Sequence, residues 1–158
     1  MAVAIGKKVP KLVGVGHDGE RIALADFTDH HVVVYFYPKD NTPGCTREAQ
    51  DFRDLYPKFR RRNCAIIGVS RDSVASHARF RDKLAAPFPL VADEDESWCR
   101  AFDVIGEKML YGKRHVGVIR STFLIGPGGV LEAEWRKVKV PGHAQAVLDR
   151  IAASTGAG

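Results

Sequence analysis

The sequence predicts an α/β sandwich around a central mixed sheet, and three observations predict it. Two continuous apolar runs, "HVVVYFY" at 31–37 and "AIIGVS" at 65–70, suit strands buried on both faces. Between them lies a stretch with apolar residues three and four apart, the pattern of a helix with one buried face. Later, two strand-like segments flank "GPGG", as in a hairpin. With 158 residues and a hydrophobic fraction of 45%, the chain reads as one domain, 1–158, able to bury a single core.

The elements follow in order. Residues 12–27, "LVGVGHDGERIALADF", read as an added N-terminal β-hairpin with Asp18-Gly19 at its turn. "HVVVYFY" is the central strand and ends at Pro38. Residues 43–61 place Cys45, Ala49, Phe52, Leu55, Tyr56 and Phe59 on one helical face, with Pro57 expected to kink or interrupt the helix. "AIIGVS" is the next strand, 73–85 a second helix, "FPLVAD" a short strand and 95–102 a short helix. A glycine-punctuated loop is expected from Gly106 to His115. "VGVIRSTFLI" and "VLEAEW" then form a hairpin. Residues 143–153 form the last helix, with Ala144, Val147, Leu148, Ile151 and Ala152 on its apolar face, and 154–158 is expected to be a flexible tail. Strand, helix, strand, helix, then hairpin and final helix is the order of a thioredoxin-like fold with right-handed parallel crossovers in its first half.

Composition narrows the function. No run approaches the ~20 apolar residues of a membrane span, and "MAVAIGKKVPKL" lacks the apolar core of a secretory signal. A soluble, cytoplasmic chain without a membrane partner is expected. The formal charge of +5 raises the question of nucleic acid, but the one dense basic run, "KFRRRN" at 58–63, falls at a helix end. Cations there meet the negative end of the dipole, so a solvated helix terminus is expected and no nucleic-acid partner. Cys45, Cys64 and Cys99 form neither an even disulfide framework nor a CxxC pair, which points to thiol chemistry in a reducing compartment. His17, His30, His31, His77, His115 and His143 show no metal-ligand spacing, so no metal site is expected and most are placed at the surface. "GVGHDG" at 14–19 matches a dinucleotide fingerprint literally, with Asp40 about twenty residues on. The eleven residues between Gly19 and His31 are too few for a turn plus a crossover helix, so a hairpin turn is the better reading.

Cys45 has two readings on its own, an inert thiol on a buried helix face or a nucleophile. Ligand crevices in open α/β sheets lie at the carboxyl ends of parallel strands, and residues 38–45 follow such an end. Thr42 reads as the N-cap and Pro43 as the first helical residue, which puts Cys45 in the first turn. Unpaired N–H groups and the positive end of the dipole there favour a thiolate, to which the Thr42 hydroxyl could donate as well. Arg120 also has two readings. Alternation along "VGVIRSTFLI" sets Val118, Arg120, Thr122 and Leu124 on one face. If that face is buried, the guanidinium needs an anion such as the Cys45 thiolate; if it is wet, a surface ion pair suffices.

With these residues in hand, the chain resembles the peroxiredoxins, and among them the peroxiredoxin Q or bacterioferritin comigratory protein subfamily. The motif PxxxTxxC stands as Pro38, Thr42 and Cys45 in "YFYPKDNTPGCT", with further likeness in "DEDES" at 93–97, the loop at 106–113 and "IRSTFLI". The resemblance implies a thioredoxin fold and a thiol peroxidase for hydrogen peroxide and organic hydroperoxides, with no metal or organic cofactor. It implies that Cys45 is the peroxidatic nucleophile, converted to a sulfenic acid. Thr42 and Arg120 would orient the peroxide, and Pro38 would limit water at the sulfur. Many members carry a resolving cysteine five positions after the nucleophile, where this chain has Gln50, or on the following helix, where 73–85 has none. Cys64 lies a helix length of about 25 Å away, beyond disulfide reach. Cys99, beside Trp98 and Phe102, reads as core packing, with resolution as the alternative. The expected cycle therefore uses one cysteine and an external reductant, thioredoxin, glutaredoxin or a small thiol, in a monomer or weak homodimer. The rival on the same fold is a disulfide oxidoreductase or thiol-based binding module, against which the absence of CxxC argues.

Overall fold

The structure is a computed structural model and describes residues 3–154. A small antiparallel hairpin, β1 (Val13–Val15) and β2 (Arg21–Ala23), precedes the main sheet, and Gly19 takes φ +80° in its turn. "GVGHDG" therefore belongs to this hairpin, as its turn chemistry requires. A 3-10 turn at Leu24–Phe27 leads into β3 (His31–Phe36), which is followed by α1 (Pro43–Arg61), β4 (Cys64–Ser70), α2 (Val74–Leu84) and β5 (Leu90–Ala92). The second half holds α3 (Ser97–Ala101), β6 (Ile105–Leu110), β7 (Lys113–Val118), β8 (Ser121–Ile125), β9 (Leu131–Arg136) and α4 (His143–Ser154).

The main sheet has the order β5-β4-β3-β8-β9, with β3, β4 and β5 parallel and β8 and β9 antiparallel to their neighbours. The apolar run of β3 is central and splits its side chains between two cores. Val33 and Tyr35 pack with Cys45, Phe52, Phe59 and Phe80 from α1 and α2 and with Val147 and Ile151 from α4. Val32, Val34 and Phe36 pack on the opposite face with Leu24, Trp98, Cys99 and Phe102. This mixed sheet between two layers is the predicted thioredoxin-like sandwich.

Several local expectations are corrected. Residues 106–115 are not a loop but most of the hairpin β6–β7, closed by Tyr111 and Gly112 at φ 52° and 75°. Two adjacent residues with positive φ are what a type I′ turn needs, and the charged strands concealed it because no apolar alternation marks them. The expected strand "VGVIRSTFLI" is two strands broken at Ile119-Arg120, so Val118 joins the core opposite to that of Leu124. Pro57 does not interrupt α1. Its ring is exposed, and fully buried Phe52 and Phe59 hold the helix on either side of the one backbone bond it forfeits. His77 and His143 are buried rather than at the surface, each held by hydrogen bonds. Ser154 ends α4, and the rest of the expected tail, 155–158, lies outside the described residues. Among the described residues, no helix is long and apolar enough to cross a membrane.

Candidate active site

The backbone from β3 into α1 builds the site. Pro38, half-buried, turns the chain out of the sheet. Thr42 is the extended N-cap at φ −90° and ψ 155°, Pro43 is the first helical residue and Cys45 the third, as the sequence predicts. The Thr42 hydroxyl, however, donates to the Lys39 carbonyl at 2.9 Å rather than to the sulfur. No side chain caps the first turn of α1, so its amides are unclaimed by a capping group beside Cys45.

Register brings the cation in. Tyr35 and Phe36 pair with Thr122 and Ser121, so the break before β8 sits beside the carboxyl end of β3. Arg120 occupies that break and reaches back to α1, with its carbonyl held by the Val138 amide at 3.0 Å. Its Nη2 donates to Cys45 Sγ at 3.4 Å, and its Nη1 donates to Glu48 Oε1 at 2.7 Å. Gly44 makes this approach feasible, because a Cβ there would lie 3.1 Å from Arg120 Nη2. Arg120 thus faces α1 on the same side as Thr122 and Leu124, and its partners are buried groups rather than a wet surface.

Cys45 and Glu48 are each 1% exposed. Burial pushes the Glu48 carboxyl up to about 7, with the Arg120 guanidinium pulling it down. For Arg120, burial works downward, but the charges of Glu48 and Cys45 outweigh it and hold the guanidinium in its charged form. Burial, then the negative charges of Glu48 and Cys45, keeps the nearby Tyr35 phenol protonated. Lys108 of β6 is shifted down by burial and then by Arg120, while Cys45 opposes this, which places the β6–β7 hairpin within electrostatic reach of the site. His143 is pushed down to about 4 by burial and then by Arg120, so it stays neutral beside Thr122, whose Oγ1 lies 2.8 Å from Nε2.

Glu48 and Lys108 were missed by sequence reasoning. Glu48 had a signal: it stands three residues after Cys45 and four before Phe52, a carboxylate on the apolar face of α1. Lys108 had none, because its hairpin read as a loop. The other two thiols stand apart. Cys64 lies at the opposite end of α1 from Cys45, its thiol pushed up to about 12 mainly by burial. Cys99 belongs to the core on the other face of the sheet, and burial followed by the Asp93 carboxylate raises it further still. Gln50 sits half-buried within α1. Among the described residues, Asp40, Asp72 and His77 are the one group whose ligand atoms converge as a metal site would need, all within 4.8 Å of one another. Asp40 and His77 are already hydrogen-bonded at 2.7 Å.

A sandwich fold with a buried thiol at a helix start, facing an arginine, defines a class of thiol-redox protein, and comparison with known proteins places the chain within it. The model of the AhpC/TSA family matches residues 5–134. The peroxiredoxin Bcp of Xanthomonas campestris is 54% identical over 135 residues, covering 85% of this chain and 84% of that protein. A structure of the Xanthomonas campestris bacterioferritin comigratory protein, described for alkyl peroxide reduction, superposes with a TM-score of 0.87 at 51% identity, covering 91% of this chain and 92% of that one. A mutant PrxQ from Xylella fastidiosa gives a TM-score of 0.92 at 44% identity, with 98% of each chain covered. The chain belongs to the AhpC/TSA family and, within it, to the peroxiredoxins of the Bcp or Q type. It is a thiol peroxidase.

Proposed function

We propose that Cys45 is the peroxidatic nucleophile and that hydrogen peroxide and organic hydroperoxides are its substrates. The observation that carries this is the Arg120 guanidinium 3.4 Å from Cys45 Sγ at an uncapped helix start. The thiolate attacks one peroxide oxygen and the O–O bond breaks. The electron pair leaves with the other oxygen, which takes a proton to become water or alcohol, and Cys45 becomes a sulfenic acid. Arg120 stabilises charge first on sulfur and then on the departing oxygen, and Glu48 fixes the direction of its planar fork. Thr42, its own proton committed to Lys39, accepts from the hydroperoxide O–H. Pro38 shields the sulfur from water.

Recycling is assigned to an external thiol. No cysteine stands at position 50 or on α2, Cys64 is a helix length away, and Cys99 packs in the other layer. One external thiol condenses with the sulfenic acid to a mixed disulfide and water, and a second releases Cys45 with formation of the external disulfide. Thioredoxin, glutaredoxin or a small thiol can fill this role for a monomer or weak homodimer. Three free cysteines suit a reducing cytoplasmic setting.

Intact-mass analysis of the reduced chain after one equivalent of hydrogen peroxide, with and without dimedone, followed by peptide mapping, tests the reading. A dimedone adduct on Cys45 with Cys64 and Cys99 still reduced is expected. A disulfide between Cys45 and Cys99 would keep the nucleophile but overturn the one-cysteine cycle, and an unmodified Cys45 would overturn both.

A further inference from the structure

A second buried polar cluster stands beside the nucleophile's loop, and the reaction as described does not use it. His77 of α2 is fully buried. Its Nδ1 lies 2.7 Å from Asp40 Oδ2 and its Nε2 lies 2.8 Å from the Val91 carbonyl of β5. Both ring nitrogens therefore face oxygen acceptors. A carboxylate oxygen only accepts, so Nδ1 is the donor toward Asp40. The carboxyl also accepts from the Tyr37 hydroxyl at 2.6 Å and the Ser76 hydroxyl at 2.8 Å.

Asp40 is tied by its backbone as well. Its amide donates to Asp72 Oδ2 at 2.8 Å, and the same oxygen receives the Ser70 hydroxyl at 2.6 Å. The next residue, Asn41, takes φ 63° and accepts from Lys83 of α2 at 2.7 Å. These contacts fasten the segment between Pro38 and Thr42 to α2 and to the end of β4. Thr42 must start α1 at a fixed place and angle for Cys45 to meet Arg120, and buried networks of this kind hold geometry only while every member is satisfied.

We propose that Asp40 and His77 are positioning residues for the peroxidase reaction, a latch that fixes the loop so that Cys45 stays in register with Arg120. The proposal rests on the reading of Cys45 as nucleophile. Without the His77 donor the Asp40 carboxylate is under-satisfied in a buried site, the loop releases, and the sulfur leaves the guanidinium. Reaction with peroxide, which needs that alignment, then slows relative to reaction with a reagent that needs only an accessible thiolate.

The test compares second-order rates of Cys45 oxidation by hydrogen peroxide and of its alkylation by iodoacetamide in the full chain, with folding checked by circular dichroism. His77→Leu should lower the peroxide-to-alkylation ratio by about tenfold or more. His77→Asn, whose amide replaces the Nδ1 donor, should keep most of the ratio. A wild-type ratio in folded His77→Leu, or an equal loss in His77→Asn, would overturn the latch. Should His77→Leu fail to fold, Tyr37→Phe removes a different donor from the same carboxyl and should lower the ratio by less, with an unchanged ratio counting against the proposal. A wild-type Cys45 that reacts with peroxide no faster than a free thiol removes the nucleophile reading and the latch together, whereas fast wild-type oxidation with insensitive variants removes the latch alone.

Discussion

Cys45 and Cys99 are each the third residue of a helix that follows the carboxyl end of a parallel strand, β3 for one and β5 for the other. Both are buried. At α3 the amides of Trp98 and Cys99 donate to the two oxygens of Asp93 at 3.0 and 2.8 Å, and that of Ser97 donates to Asp95 at 3.0 Å. Carboxylates therefore occupy the positive end of α3, and burial together with Asp93 keeps the Cys99 thiol protonated. At α1 no side chain takes that place, and a guanidinium stands over the sulfur. A helix start is an invitation to negative charge, and the neighbouring side chains decide whether the thiol or a carboxylate accepts it.

The largest expected effect is at Cys45 itself. Cys45→Ser should abolish peroxide consumption in the presence of dithiothreitol, while Cys99→Ser should turn over at the wild-type rate. Equal losses in the two would break the contrast. Next comes the cation. Arg120→Met should slow Cys45 oxidation in stopped flow by about 10²–10³-fold, as for loss of a donor aimed at developing charge. A change of less than a few-fold would leave the helix start alone responsible.

Glu48 sharpens the comparison through pH. Its carboxyl rises from an ordinary 4.5 to about 7 in the folded chain. The folded state therefore holds the proton more tightly, so the stability contribution is complete below about 4.5 and is lost as pH rises through about 7. Denaturant midpoints measured at pH 5 and pH 8 should show this decline in the wild type and a smaller one in Glu48→Gln. The smallest effect is expected at the quiet thiol: Cys99→Ser should cost about 1–3 kcal/mol of stability, the price of a buried hydroxyl in an apolar layer. Urea unfolding would measure it.

What local chemistry controls was legible in the sequence. The apolar runs of β3 and β4, the buried face of α1, and Thr42-Pro43 placing Cys45 in the first turn all depend on residues a few positions apart. The β6–β7 hairpin escaped because its strands are charged and largely exposed, leaving only the Tyr111-Gly112 turn as a marker. The break at Arg120 escaped because Ile119 and Arg120 continue an apparent strand.

The sequence by itself determined a thioredoxin-like sandwich and a cysteine at the start of its first long helix. Only the tertiary structure decided which thiol meets a cation. Arg120 is 75 residues from Cys45 and reaches it only through the pairing of β3 with β8, whereas Cys99 meets Asp93 within six residues of chain. Electrostatic partnership depends on distance through space, and no local periodicity encodes the sheet register that sets that distance.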